Sequence, residues 1–372
     1  MTLTNIKDKN IIITAGGTGG HIFPALAVAE ALQNNGANVT WVGTKDSMED
    51  RLVSGKFPIE YIKSSGIRGK GIIKKLTMPI QLLSSVLAAR KIIKKLKADL
   101  VIGFGGYVSG PTCLAAKTKK VPVVVHEQNA KMGLTNRTIA KFAKDVCLAF
   151  PVDNISSLFS KKSLGKFHIV GNPIRQEILN LNSQEKAFSE NGLNLLVLGG
   201  SQGSRAINTI IPELVEKANS ENIALNVWHQ TGKALYDETL EIYKEKNIPE
   251  KNISSIAPFI EDMVRLYSWA DVVVCRAGAL TVSEVSLSGI PAIFIPLPIA
   301  ADDHQHYNAQ IIADNNAAVN IRQDEASADE ILNILANLSK NRDILKKMSE
   351  NAKNTLIKDS TAQILSIVDK NL

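Results

Sequence analysis

With 372 residues, 45% of them hydrophobic, the chain is long enough for two well-packed domains, which excludes a disordered or fibrous class. Cys113, Cys147 and Cys275 stand among apolar residues without CxxC spacing, which fits a reducing compartment and excludes a structural zinc framework. The net charge of +7 is unevenly divided: residues 1–165 carry 24 Lys and Arg against 10 Asp and Glu, and residues 166–372 carry 19 against 26, so the N-terminal half suits an anionic surface or a polyanionic ligand.

The polar lead MTLTNIKDKN passes directly into an apolar run, without the charged region, apolar core and cleavage site of a leader, so export is not expected. NIIITA at 10–15 is predicted as a buried strand, followed by a glycine loop, a helix over 24–36 with Pro24 in its first turn, and a strand NVTWVG at 38–43. Residues 68–97 hold nine Lys or Arg and no acid. Ile72, Ile73, Leu76 and Met78 alternate there with Lys74 and Lys75, and Lys94 and Lys95 follow near the end, the pattern of an interfacial surface on anionic lipid. Nucleic acid is not expected, because aromatics do not punctuate the charge and no binding module is present. No run reaches the roughly 18 apolar residues of a spanning helix, so membrane contact is expected to be peripheral.

DLVIGFGG at 99–106, a helix over 111–119 and PVVVHEQN at 122–129 continue the alternation. After GNPIR at 171–175 it restarts with a strand at 194–200, a helix at 204–220, a strand and loop at 224–232, ISSIAPFI at 253–260, ADVVVCRAG at 270–278, a helix from Leu280 to Ser288 and PAIFIPLP at 291–298. Residues 327–368 look mainly helical. Strands that end in glycine loops and feed helices predict an α/β protein with parallel sheets. The expected organisation is a Rossmann-like domain over 1–165, a second over 166–350, and a C-terminal helix over 351–372 returning to the first, with a deep cleft between the two sheets' C-terminal edges.

The loop Gly16-Gly17-Thr18-Gly19-Gly20-His21 joins a strand to a helix, where bare amides and the helix dipole favour an anion such as diphosphate. Its spacing is neither GxGxxG nor a P-loop. His21 suits a general base or a donor to phosphate. Gly105, Gly106, Tyr107 and Ser109 form a second glycine-dense connection, and His126, Glu127, Gln128 and Asn129 put four polar side chains after PVVV, where they need partners or a ligand. In the second half Gly199-Gly200-Ser201-Gln202-Gly203-Ser204 repeats the phosphate-cradle logic. Glu284 stands about one turn into the next glycine-led helix, where a carboxylate suits ribose hydroxyls. Asp302, Asp303, His304 and His306 are too closely spaced for metal ligation from one helix face, and no metal or cofactor is expected.

GGTGGH, GFGGYVSGP, HEQNA, GNPIR, GGSQG, CRAGALTVSE and DDHQ occur in an order that covers nearly the whole chain and resembles the MurG family of peptidoglycan N-acetylglucosaminyltransferases. The resemblance implies a glycosyltransferase B-type fold and metal-independent, inverting transfer from UDP-N-acetylglucosamine to undecaprenyl-diphosphoryl-N-acetylmuramoyl-pentapeptide (lipid I), giving lipid II. The implied donor contacts are Thr18, Gly19, Arg175, Ser201, Gln202, Gly203, Ile260, Ala279, Leu280, Thr281, Glu284 and Gln305. The acceptor is implied at Gly16, Gly17, Gly20, Gly105, Gly106, Tyr107, Ser109, His126 and Asn129, and the base among His21, Glu127 and Asn129. The implied setting is the cytoplasmic face of a bacterial inner membrane, in contact with anionic lipid and with cell-wall and division machinery. Transfer to another lipid acceptor and epimerisation of UDP-N-acetylglucosamine are the alternative activities.

Overall fold

The computed structural model describes residues 3–64, 72–152, 155–200, 202–246, 248–249, 252–298 and 300–372, with the side chains of 72–78 and 301 outside the description. The chain divides into two compact units, Met1–Ile174 with Asp359–Leu372, and Arg175–Lys358.

The first unit runs β1 (Asn10–Thr14), α1 (Gly19–Asn34), β2 (Asn38–Gly43), α2 (Met48–Val53), β3 (Ile59–Tyr61), α3 (Ile72–Leu96), β4 (Leu100–Gly103), α4 (Ser109–Thr118), β5 (Val123–Glu127), α5 (Leu134–Ala140), β6 (Asp145–Leu148), α6 (Ile155–Leu158) and β7 (Phe167–Ile169). All its strand pairs are parallel, in the order β3-β2-β1-β4-β5-β6-β7. The runs Ile11–Ile13, Leu100–Ile102 and Val123–Val125 are buried because helices cover both faces of the sheet. One apolar layer joins Ile11 and Ile13 to α1 through Ala25, Val28 and Leu32, and the other joins Ile12, Val101 and Val125 to α3 and α4 through Ala89, Ile93 and Cys113.

The second unit runs α7 (Gln176–Asn182), β8 (Leu193–Leu198), α8 (Arg205–Ser220), β9 (Leu225–Gln230), α9 (Tyr236–Glu245), β10 (Ile253–Ala257), α10 (Met263–Trp269), β11 (Val272–Cys275), α11 (Ala279–Leu287), β12 (Ala292–Phe294), α12 (His304–Asp314), β13 (Ala318–Asn320), α13 (Ala328–Lys340) and α14 (Arg342–Thr355). Its sheet is also parallel, in the order β10-β9-β8-β11-β12-β13. Ser204 starts α8 by accepting the Ile207 amide, and Ser327 starts α13 by accepting the Glu330 amide.

Helix α15 (Ser360–Lys370) belongs to the first unit, where Ile364, Leu365 and Val368 enter the core layer beside α1 and Ser360 Oγ donates to Gly171 O at 2.9 Å. Two boundaries differ from those read in the sequence. β7 completes the first sheet, so the division follows Ile174 and not residue 165; α14 stays with the second unit, so only the chain from Asp359 returns. The first glycine loop is also shorter than read. α1 begins at Gly19 with Thr18 as its cap, so Pro24 lies inside the helix and beyond its first turn.

Candidate functional site

In each sheet the strand order reverses once, between β1 and β4 and between β8 and β11. Ligands of open α/β sheets bind outside the carboxyl ends of the strands at such a switch point. The glycine loops read from the sequence leave those four strands: 15–18 follows β1, 104–108 follows β4, 199–204 follows β8 and 276–278 follows β11.

At the first switch point the two loops touch backbone to backbone. Phe104 N donates to Thr14 O at 2.9 Å, and a Cβ at Gly106, whose φ is +81°, would lie 2.1 Å from Gly16 O. His21 Nδ1 lies 3.2 Å from Gly16 O and 3.5 Å from Thr18 Oγ1. A carbonyl oxygen only accepts, so Nδ1 carries the proton and the neutral ring keeps its lone pair on Nε2. Gly105 brings β4's loop against that edge: a Cβ there would lie 3.3 Å from His21 Nε2 and 3.2 Å from Asn136 Nδ2.

Three residues expected to meet the ligand are occupied by the protein itself. Ser109 is buried, and its hydroxyl donates toward Thr14 O and Gly105 O, at 2.8 and 2.6 Å, stitching the two loops together. His126 is enclosed, with Nε2 2.9 Å from Gly171 O and Nδ1 accepting from Gln128 Nε2 at 3.0 Å; burial depresses its pKa to about 4, so it stays neutral. Glu127 is 1% exposed and takes four donors, Asn129 N, Asn129 Nδ2, Gly133 N and Asn136 Nδ2, all at 3.0–3.1 Å. A carboxylate so saturated has no lone pair left for a substrate proton. It sets the positions of Asn129 and Asn136.

At the second switch point, Gly203 N donates to Gly200 O at 3.0 Å, and α8 starts directly behind the loop. Gln202 and Gly203 lie in this turn, while Ser201 lies outside the described residues. Gln230, at the end of β9, donates to Gly200 O and accepts the Ile260 amide, both at 3.2 Å. Ile260 therefore has only its carbonyl left to offer. Ala279, Leu280 and Thr281 form the first turn of α11. Glu284, one turn on, accepts from Tyr267 Oη at 3.2 Å and lies 3.4 Å from Arg175 Nη2; burial raises its pKa and the Arg175 charge opposes the rise. Gln305 Oε1 accepts the Leu297 amide at 3.0 Å. His306 Nδ1 accepts from Asn320 Nδ2 at 3.1 Å. Arg276 donates to Ile295 O, Pro296 O and Gln323 Oε1 at 2.7–3.2 Å, clamping the exit of β12 that leads to Gln305. Gln230, Tyr267 and Arg276 were not singled out from the sequence. The visible signal for two of them was a polar residue at a strand end, as in WHQ and VVVCR. Among the described residues no three His, Cys, Asp or Glu side chains converge to hold a metal.

Residues 11–148 match the glycosyltransferase family 28 N-terminal domain and residues 194–364 its C-terminal domain. The chain is 58% identical over 369 residues, 99% of both sequences, to the UDP-N-acetylglucosamine--N-acetylmuramyl-(pentapeptide) pyrophosphoryl-undecaprenol N-acetylglucosamine transferase of Francisella philomiragia. It belongs to glycosyltransferase family 28. The identically named transferase of Psychromonas ingrahamii is 41% identical over 97% of the chain and 98% of its own length. The crystal structure of Acinetobacter baumannii MurG superposes with a TM-score of 0.79 at 36% identity, covering 97% of this chain and 99% of that one. The two parallel, helix-flanked sheets are the glycosyltransferase B-type fold of this family.

Proposed function

We propose that this family 28 protein transfers N-acetylglucosamine from UDP-N-acetylglucosamine to the muramoyl C4 hydroxyl of lipid I, with inversion, to make lipid II for peptidoglycan. The observation that carries the reading is the 58% identity to such a transferase over 99% of both chains, which spans the glycine loops of both units.

In the roles we assign, the second unit holds the donor. The amides of Gly200 and Gln202 and the α8 N-terminus take the UDP diphosphate and its growing charge as UDP leaves, without a divalent ion. The Ile260 carbonyl meets the uracil, Glu284 the ribose, and Arg175 and the free amide of Gln305 the remainder of the donor. The first unit holds the acceptor. His21 Nε2, its lone pair set by the Nδ1 contact to Gly16 O, takes the proton from the attacking hydroxyl, and Asn129 orients the sugar. Glu127 supports Asn129 and does not act as base, because its four donors are already in place.

Helix α3 is the proposed peripheral contact with an anionic inner membrane on its cytoplasmic side. Ile80, Leu82, Leu83 and Leu87 are exposed along it and Lys91 and Lys94 follow, whereas Lys95 is paired with Glu60 at 2.7 Å. The side chains of Ile72, Ile73, Lys74, Lys75, Leu76 and Met78 lie outside the described residues. No described helix is long and apolar enough to cross a membrane. Contact with cell-wall and division machinery completes the proposal.

The test is transfer of radiolabelled sugar from UDP-N-acetylglucosamine to a lipid I analogue with EDTA present and an acceptor-free control. Acceptor-dependent product is the expected result. Epimerised or untouched donor beside folded protein would overturn the reading.

A further inference from the structure

Beneath the first glycine turn lies a carboxylate that no motif marks. Glu49, the second residue of α2, is 0% exposed. It takes three donors: Thr44 Oγ1 at 2.7 Å, Thr44 N at 3.2 Å and Gly17 N at 3.4 Å. The local sequence builds this arrangement. Ser47 caps α2 by accepting the Asp50 amide at 3.2 Å, which turns position 49 back toward the end of β2. Gly43 there leaves the room, since a Cβ on it would lie 3.1 Å from Glu49 Cγ. A charge enclosed in this way is tolerated only when its oxygens are hydrogen-bonded.

The network fixes the direction of every proton in it. The single hydroxyl proton of Thr44 goes to Glu49, so Thr44 Oγ1 accepts from Tyr107 Oη at 3.3 Å. The Tyr107 proton therefore points inward and its lone pairs remain outward. Desolvation, with the Glu49 charge adding to it, raises the phenol pKa and keeps it protonated. Gly17 turns its amide down onto Glu49, and Gly16 O faces His21 Nδ1. With Gly16 O taken by His21 Nδ1 and the Gly17 amide turned inward, the Tyr107 oxygen is the acceptor this edge presents above the buried Glu49 carboxylate. A hydroxyl or amide N–H finds an acceptor in the Tyr107 oxygen, whereas a phosphate oxygen, itself an acceptor, does not.

We propose that Glu49 is a positioning residue for the acceptor: through Gly17, Thr44 and Tyr107 it makes this edge a receptor for the neutral, hydrogen-donating sugar and peptide groups rather than for the diphosphate. The proposal rests on the acceptor assignment given above and departs from the expectation that the Gly16-Gly17 turn itself cradles diphosphate.

The experiment compares wild type, Glu49→Gln, Thr44→Val, Tyr107→Phe and the Glu49→Gln/Tyr107→Phe double variant in lipid I analogue turnover. Inhibition by farnesyl diphosphate, which has the diphosphate and lacks the sugar, is measured alongside. The expected result for Glu49→Gln is an acceptor KM raised about tenfold, the effect of one misplaced hydrogen bond. Its kcat should stay within about threefold of wild type, with donor KM unchanged and farnesyl diphosphate inhibiting no more strongly than in wild type. Tyr107→Phe should raise the acceptor KM similarly and add little in the double variant, because both act through one chain of hydrogen bonds. Tighter inhibition by farnesyl diphosphate in Glu49→Gln would mean that the diphosphate lies on this edge and would overturn the proposal. An unchanged acceptor KM, or full additivity in the double variant, would do the same. Should Glu49→Gln fail to fold, Thr44→Val and Tyr107→Phe decide by the same readouts. Wild type that does not transfer to lipid I removes the functional reading as well, whereas wild type that transfers and is matched by its variants removes only the role of Glu49.

Discussion

Replacing Gly106 by alanine tests how the two glycine loops of the first unit depend on each other. Gly106 has φ +81° and lies so close to the first loop that an added Cβ would sit 2.1 Å from Gly16 O and 2.9 Å from Gly16 C. The left-handed backbone alone costs an L-residue about 1–2 kcal/mol. The clash is a separate matter, since a carbon against a carbonyl oxygen settles at about 3.3–3.6 Å, so the loops must part by roughly 1.2 Å or more. That displacement carries Gly16 O, and with it the anchor of His21 Nδ1 at 3.2 Å. A misplacement of about 1 Å at a reacting group lowers turnover on the order of a hundredfold. Gly55→Ala is the control: its φ is +85°, and an added Cβ there meets nothing within 4 Å. Both variants should lose about 1–2 kcal/mol in urea unfolding from the backbone effect. Only Gly106→Ala should lose more than that and also drop kcat/KM for the lipid I analogue about a hundredfold, with UDP-N-acetylglucosamine binding unchanged in calorimetry. If Gly106→Ala matched Gly55→Ala in both stability and turnover, the reasoning from loop contact to His21 would be refuted.

His21→Ala should lower kcat by about a hundredfold to ten-thousandfold while donor affinity holds; unchanged single-turnover rates would move the base elsewhere. Glu127→Gln should destabilise the protein by about 1–3 kcal/mol in urea unfolding, because an amide N–H then faces one of four existing donors; wild-type stability would show that the four bonds do not constrain the carboxylate. Glu284→Gln should raise the donor KM about tenfold or more by weakening the charged acceptor offered to ribose, and an unchanged donor KM would remove the ribose assignment. Acid should weaken the fold through its buried histidines. Burial holds His126 at a pKa of about 4 and His229 at about 3, while the unfolded imidazoles take protons below about 6.5. Stability from these two groups is therefore full above that pH and falls by about 1.4 kcal/mol per pH unit for each as the pH drops toward 4. His126→Gln should flatten the dependence measured by urea unfolding at pH 7 and pH 5, and an unaltered slope would count against the neutral, enclosed ring.

Local pattern made much of this protein legible. The runs NIIIT, LVIG, NLLVL and VVVC are apolar without alternation because both faces of each sheet are covered, and the glycine loops that end them announce strand-to-helix turns. The short strands escaped. DVCL, FHI and AVN, at β6, β7 and β13, span four residues or fewer, too few to show a period, and pairing with a formed neighbour makes them strands. The start of α1 was missed for a related reason: glycines 19 and 20 look like loop, yet they form its first turn behind Thr18.

The site divides along the same line. Sequence alone determined that glycine loops leave strands in both halves, that His21 closes one of them and that Glu284 follows another, because these are facts of residue type and short spacing. Only the tertiary structure decided which polar groups remain free to act. Ser109, His126 and Glu127 look like ligand residues until Thr14 O, Gly171 O and the amides around Asn129, Gly133 and Asn136 are seen to occupy them. Glu49, Gln230 and Arg276 look like nothing until their partners arrive from the loops that follow other strands. Whether a hydrogen-bonding group is spent or available depends on every neighbour that surrounds it in space, and no window of sequence contains that set.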